Sequence, residues 1–194
     1  MITVVVPTIR PRAALLGRAL DSVWRQTLPP EAVVVQEDAH REGAAATRQR
    51  GLERVETPWV AFLDDDDEFL PGHLESLLAH AQETAAEYVY SWYEVVGGTD
   101  PRPEVFGRPW DPANPVQTTV VTLVRTDWAL GVGGFTDAAE DADLASPDRL
   151  YAGEDWRFTR RMNEAGAVIS HLPQRTWRWH HHGGNTSGLP KNWR

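Results

Sequence analysis

With 194 residues, 41% of them apolar and 24% charged, the chain can bury the core of one globular domain but is short for two. A net charge of −9 makes its surface a poor landing site for nucleic acid or anionic lipid, so neither is an expected partner. The sequence has no cysteine, which leaves out disulfides and thiolate metal sites and suits a reducing, cytoplasmic setting. No apolar run approaches the roughly 20 residues that span a bilayer, and Met1 runs into "ITVVVP" without the basic start of a secretory leader.

The run from Ile2 to Pro7 is continuously β-branched, as a strand buried on both faces should be. "AALLGRALDSVWRQTL" sets Leu16, Leu20, Val23 and Trp24 at helical spacing, and Pro29-Pro30 closes it. "AVVVQE" (Ala32 to Glu37) predicts a second strand, "AAATRQRGLERV" (Ala44 to Val55) a second helix and "WVAFLD" a third strand. "PGHLESLLAHAQETAA" opens with Pro71 and repeats Leu74, Leu77, Leu78 and Ala81, a third helix. This alternation predicts a parallel sheet with right-handed crossovers.

The second half is less regular. "YVYSWYEVV" (Tyr88 to Val96) and "TTVVTLV" (Thr118 to Val124) read as strands, separated by a Pro-rich loop from Gly97 to Pro115, long enough to be functional or mobile. After "GVGGF" comes an acidic stretch, Thr136 to Asp148. "GEDWRFTRRMNEAG" reads as a helix ended by Gly166, "AVISHLP" as a strand and "RTWRWHHHGGNTSG" as a polar, aromatic C-terminal segment. Nine tryptophans are unusual for this length; most suit packing, and one or two could stack on a sugar or base.

Four consecutive aspartates, Asp64 to Asp67, follow the apolar "WVAFL". A charge run is ordinarily a solvated turn, but this one sits at the carboxyl end of a predicted strand, where open α/β sheets bind ligands. Alternation along an extended chain would turn Asp64 and Asp66 the same way and Asp65 elsewhere. Two convergent carboxylates are a plausible seat for Mg²⁺ or Mn²⁺. An EF-hand does not fit, because its sixth position requires Gly and holds Phe69. A haloacid dehalogenase-type nucleophile loop belongs nearer the start of a core, whereas two strand-helix units precede these acids.

Six segments in order resemble the family 2 glycosyltransferases, nucleotide-sugar-dependent enzymes of the GT-A fold. They are "VVVPTIRPRAALLGRALDSVWRQTL", "EGAAATRQRGL", "WVAFLDDDDEFLPGHLE", "VGGF", "GEDWRF" and "HGGNTSG", and they cover nearly the whole chain. The resemblance implies a single α/β GT-A domain over residues 1–194, with a Rossmann-like, mostly parallel central sheet flanked by helices. Residues 1–96 would form a nucleotide-binding half, and residues 97–194 an acceptor-binding half with a C-terminal metal-site segment. It further implies an inverting, metal-dependent transferase that moves a sugar from a nucleotide diphosphate donor, with a UDP-sugar favoured, to an acceptor hydroxyl.

The same resemblance assigns roles to residues. Pro7, Thr8 and Arg10 fall in the family's opening Pro-Thr turn and so are donor-binding candidates. Arg48 would meet the base or the diphosphate, a task suited to a guanidinium fork. Where the family shows paired aspartates after the second strand, this chain has "QED", so either Glu37 or Asp38 takes the base contact. Asp66 would ligate Mn²⁺ or Mg²⁺, Asp64 would lie near the ribose or the metal, Asp65 belongs to the same donor-binding segment, and Asp67 is left undecided. Asp155 would be the general base, with Glu154 a second catalytic candidate that holds the acceptor. "WHHHGGN" aligns His182 with a family histidine that completes the metal site, with His180 as the alternative.

A nucleotidyltransferase of similar fold is a rival, but "PTIRPR" lacks the glycines of a triphosphate-binding loop. A non-catalytic nucleotide- or glycan-binding module is another rival, although a binder would not need a base such as Asp155. Gly97 to Pro115 and Thr136 to Asp148 are the expected acceptor-facing segments.

Overall fold

The computed structural model describes residues 1–113, 118–135 and 153–182. β1 (Ile2–Thr8), α1 (Ala13–Trp24), β2 (Ala32–Glu37), α2 (Ala44–Leu52), β3 (Trp59–Phe62) and α3 (His73–Thr84) follow the predicted alternation. A 3-10 turn at Arg10–Arg12 precedes α1, and a short strand, β4 (Glu68–Phe69), precedes α3. β5 (Tyr88–Val96), β6 (Thr122–Arg125), α4 (Thr126–Gly131), α5 (Glu154–Glu164) and β7 (Ile169–His180) complete the described elements.

The strands form one 7-stranded sheet in the order β2-β1-β3-β6-β5-β7-β4. β1 pairs parallel with β2 and β3, and β5 pairs parallel with β7. β6 runs antiparallel to β3 and β5, and β4 runs antiparallel to β7. Only β4 and β6 therefore oppose the common direction, and the sheet is the mostly parallel one of a GT-A fold.

Every residue of β1 is buried, which is why its pattern is continuous rather than alternating. Its side chains divide between two apolar layers. Val4 and Val6 pack with Ala19 and Val23 of α1 and with Leu74 and Leu77 of α3. Val5 packs on the other face with Leu52 of α2 and with Phe158 and Met162 of α5. Burying each such side chain contributes about 1.5–3 kcal/mol, which favours β1 at the centre of the sheet.

Several element readings need correction. Trp24 does not join the buried stripe of α1 but is 62% exposed, and Ala19 takes its place. The strand expected from Thr118 begins only at Thr122, because Thr119 turns its hydroxyl onto the Val121 carbonyl at 3.1 Å and competes with the ladder. β4 and α4 are too short to leave a periodic signal. β7 continues well past Pro173, through "QRTWRWH", where a polar segment was expected. The proline is accommodated because its register with β5 slips there: Tyr90 faces His171, but Trp92 faces Arg175.

This extended β7 carries the C-terminal histidines to the ends of β1 and β3. His181 donates its backbone N–H to the Val96 carbonyl at 2.8 Å. Its ring closes over Gly98, where a Cβ would stand 3.0 Å from Nδ1, and Gly97 turns the chain at φ 85°. The loop after β5 is anchored by Asp100, which accepts from Trp92 Nε1 at 2.7 Å and from the Tyr93 hydroxyl at 3.1 Å. Asn114 and Pro115 of that loop, the acidic Thr136 to Asp148 stretch and the "GGNTSG" segment lie outside the described residues. Among the described residues no helix is long and apolar enough to cross a membrane.

Candidate active site

β1, β2 and β3 end on the same side of the sheet, where a cleft of about 270 Å³ opens. Pro7, Thr8, Arg12, Asp38, Arg48, Trp179 and all four acids from Asp64 to Asp67 line it. The acids follow β3 after a single buried residue, Leu63, so the "WVAF" strand fixes where they stand.

They divide, but not by strand alternation: Asp64 to Asp67 form a turn in which the Asp67 amide donates to the Asp64 carbonyl at 3.1 Å. Asp65 turns back into the fold, 3% exposed, accepting from the Thr8 hydroxyl at 2.7 Å and from Arg12 at 2.9 Å. Asp64, Asp66 and Asp67 each offer an oxygen within 4.8 Å of the others. That spread is slightly wider than the roughly 4.2 Å between opposite ligands of a small octahedral ion with ~2.1 Å bonds. Three carboxylates with an imidazole beside them are a donor set that suits Mg²⁺ or Mn²⁺. Burial first, and then the charge of Asp64, raise the pKa of Asp66 and raise that of Asp67 well above the usual carboxylate range. Crowded anions in a partly dry pocket favour a cation among them.

Histidines reach this cluster from β7 and beyond. His182 Nε2 lies 3.1 Å from Asp66 Oδ2. His180 donates its backbone N–H to Asp67 at 2.9 Å, while its ring Nε2 meets Glu68 at 3.1 Å. The structure thus brings the His182 ring to the acids and the His180 ring to their flank.

Arg48, on α2, is 5% exposed and forks between Asp64, at 2.5 Å, and Glu154 at the start of α5. Burial opposes its charge, but Asp64 and Glu154 outweigh that and raise its pKa. Asp155 accepts from the Trp156 amide at 2.8 Å, and burial and then Glu154 raise its pKa. Glu154 therefore adjoins the cleft through Arg48, although α5 follows the acids by a long stretch of sequence, while Asp155 is held by the Trp156 amide and is not among the lining residues.

At the end of β2 the two alternatives part. Asp38 lines the cleft and accepts from the backbone amides of Glu42 and Gly43, both at 2.9 Å. Against the cost of burial, those bonds lower its pKa. Glu37 instead pairs with Arg10 at 2.8 Å, where the Arg10 side chain is 85% exposed. Sequence reasoning left out several lining residues, Arg12 and Trp179 among them, with Ile9, Gly43, Ala44 and Thr47. The signal for Arg12 was its place in "PTIRPR"; that for Trp179 was the excess of tryptophans, one or two of which were expected to stack on a sugar or base.

The sequence profile described as glycosyl transferase family 2 matches residues 33–126. A pre-mycofactocin glycosyltransferase of Mycobacterium tuberculosis is 31% identical over 148 residues, which cover 69% of this chain and 29% of that protein. The chain belongs to the family 2 glycosyltransferases. A Campylobacter jejuni family relative, GalNAc(5)-diNAcBac-PP-undecaprenol beta-1,3-glucosyltransferase, is 27% identical over 42% of this chain and 35% of its own length. This family 2 chain therefore spans about a third of the curated relatives it matches. Its fold also matches S. aureus TarS 1-349, solved in complex with UDP-GlcNAc, with TM-score 0.77 and 19% identity, covering 99% of this chain and 63% of that one.

Proposed function

We propose that this chain is an inverting, metal-dependent glycosyltransferase that moves a sugar from a nucleotide diphosphate donor to an acceptor hydroxyl. The observation that carries the reading is the convergence of Asp64, Asp66 and Asp67 on one cleft at the ends of β1 and β3. The UDP-GlcNAc held by TarS supports a UDP-sugar as the donor.

In this reading Asp66 and His182 would hold Mn²⁺ or Mg²⁺, with Asp64 and Asp67 beside them. When bound, the ion supplies Lewis-acid neutralisation of the diphosphate leaving group. Asp38 accepts a base N–H, Pro7 and Thr8 form the floor, and Arg48 holds Asp64 and Glu154 in place. Arg10 and Glu37 sit at the exposed rim. Asp155 takes the proton of the acceptor hydroxyl as that oxygen bonds to the anomeric carbon, and the bond to the diphosphate oxygen breaks on the opposite face. Burial, and then the charge of Glu154, raise the pKa of Asp155, which strengthens it as a base. The donor half falls to residues 1–96, and the acceptor half to the residues beyond. A nucleotide sugar donor and the lack of cysteine suit a cytoplasmic setting.

The test is thermal unfolding with a panel of UDP-, GDP- and TDP-sugars, with and without Mn²⁺. A donor at a hundred times its Kd should add about 2.7 kcal/mol, a rise of roughly 5–10 °C, and only with the metal. If no nucleotide sugar gives a metal-dependent shift, the reading fails.

A further inference from the structure

Arg12 sits in the cleft beside the acids. It enters from the 3-10 turn after β1, and its Nη1 lies 2.9 Å from Asp65 Oδ1 and 3.1 Å from Asp66 Oδ2. The oxygen it contacts on Asp66 is the same Oδ2 that His182 meets at 3.1 Å. Asp66 is 7% exposed, so these two groups take up much of what little room surrounds its carboxylate. The Arg12 side chain is itself 26% exposed and lines the cleft, so it has a path outward into the space a donor would fill.

We infer that Arg12 is a donor-responsive diphosphate ligand: it stands in for the divalent cation on Asp66 in the donor-free protein and turns onto the diphosphate when metal and donor enter. This rests on the proposed metal role of Asp66. A metal at Asp66 and the Arg12 guanidinium repel one another across the shared carboxylate, so the metal weakens the hold of Asp66 on Arg12. Diphosphate oxygens arriving in the same cleft offer that fork a bidentate partner. Arg12 thereby lowers the affinity for metal alone and raises it for metal together with a nucleotide diphosphate. The metal is then taken up with the donor rather than before it.

The experiment measures Mn²⁺ binding by calorimetry for the wild-type protein and for Arg12→Gln, with and without UDP, and repeats it for Arg12→Lys. For Mn²⁺ alone, Arg12→Gln should bind roughly tenfold tighter, the equivalent of one charged hydrogen bond no longer competing. For UDP in saturating Mn²⁺ it should bind roughly tenfold weaker, and Arg12→Lys should fall between. Equal or weaker binding of Mn²⁺ alone by both variants, with wild-type binding intact, overturns the inference and makes Arg12 a structural partner of Asp65. Tighter Mn²⁺ binding with unchanged UDP affinity overturns the diphosphate role. Absence of Mn²⁺ binding by the wild type in every condition instead defeats the metal reading of Asp66 on which the inference depends.

Discussion

His182 Nε2 lies 3.1 Å from the carboxylate of Asp66, 116 positions away in sequence. Neither a helix nor a hairpin connects them; β7, zipped to β5, delivers the imidazole.

This contact makes the two side chains separable in measurement. His182→Ala should weaken Mn²⁺ binding by at least the roughly 10- to 100-fold that losing a supporting residue of a metal site costs. Asp66→Asn should weaken it further, since it removes charge as well as a donor. His180→Ala should have the smaller effect, because its ring lies on Glu68. Calorimetric Mn²⁺ titrations of the three variants give the order directly.

Arg48→Ala leaves Asp64 and Glu154 without the guanidinium that joins them. Removing one partner of a buried pair costs about 3–5 kcal/mol, which for a chain this size is a fall in Tm of roughly 6–20 °C. Because the orphaned Asp64 belongs to the same cluster as Asp66, Mn²⁺ should recover part of the loss. Thermal melts with and without the metal test both parts.

Asp155→Asn should retain the metal-dependent thermal shift given by the donor while transfer to acceptor falls by about 10²–10⁴-fold, the usual contribution of a general base. Turnover close to wild type in that variant would move the base elsewhere, with Glu154 next in line.

His73 gives the pH prediction away from the acids. It is fully buried, stacked on Phe69 and bonded to Thr176 at 2.7 Å, and burial lowers its pKa from 6.5 to about 3. Between those values the unfolded chain binds a proton that the folded chain does not, so stability falls as pH falls. Above pH 6.5 the contribution is fully present. Urea unfolding at pH 7 and pH 5 should differ by about 1–2 kcal/mol from this group, and His73→Gln should flatten that difference.

Much of the site was legible because it is local. An apolar run that ends in acids specifies a buried strand and what stands at its end, whereas the facing of each acid is set by the turn that the Asp67 amide closes on the Asp64 carbonyl. What stayed hidden depends on distant pairing. β7 looked polar because its arginines and Pro173 obscure the strand pattern, and only the slip against β5 shows how the proline is tolerated. Arg12 is one arginine among several until Asp65 and Asp66 are seen beside it.

The long reach of β7 also sets an order of assembly. Asp67 meets the His180 amide across 113 positions, and Asp66 meets His182 across 116. On a growing chain, the acids emerge long before the strand that completes their surroundings, and β5 lacks its β7 neighbour until then. Arg12 and Arg48, two of the arginines of the first 50 residues, are already present to hold the acids during that interval. Cation binding at the cleft should therefore be among the last properties the chain acquires, and a direct report that its final described strand has docked.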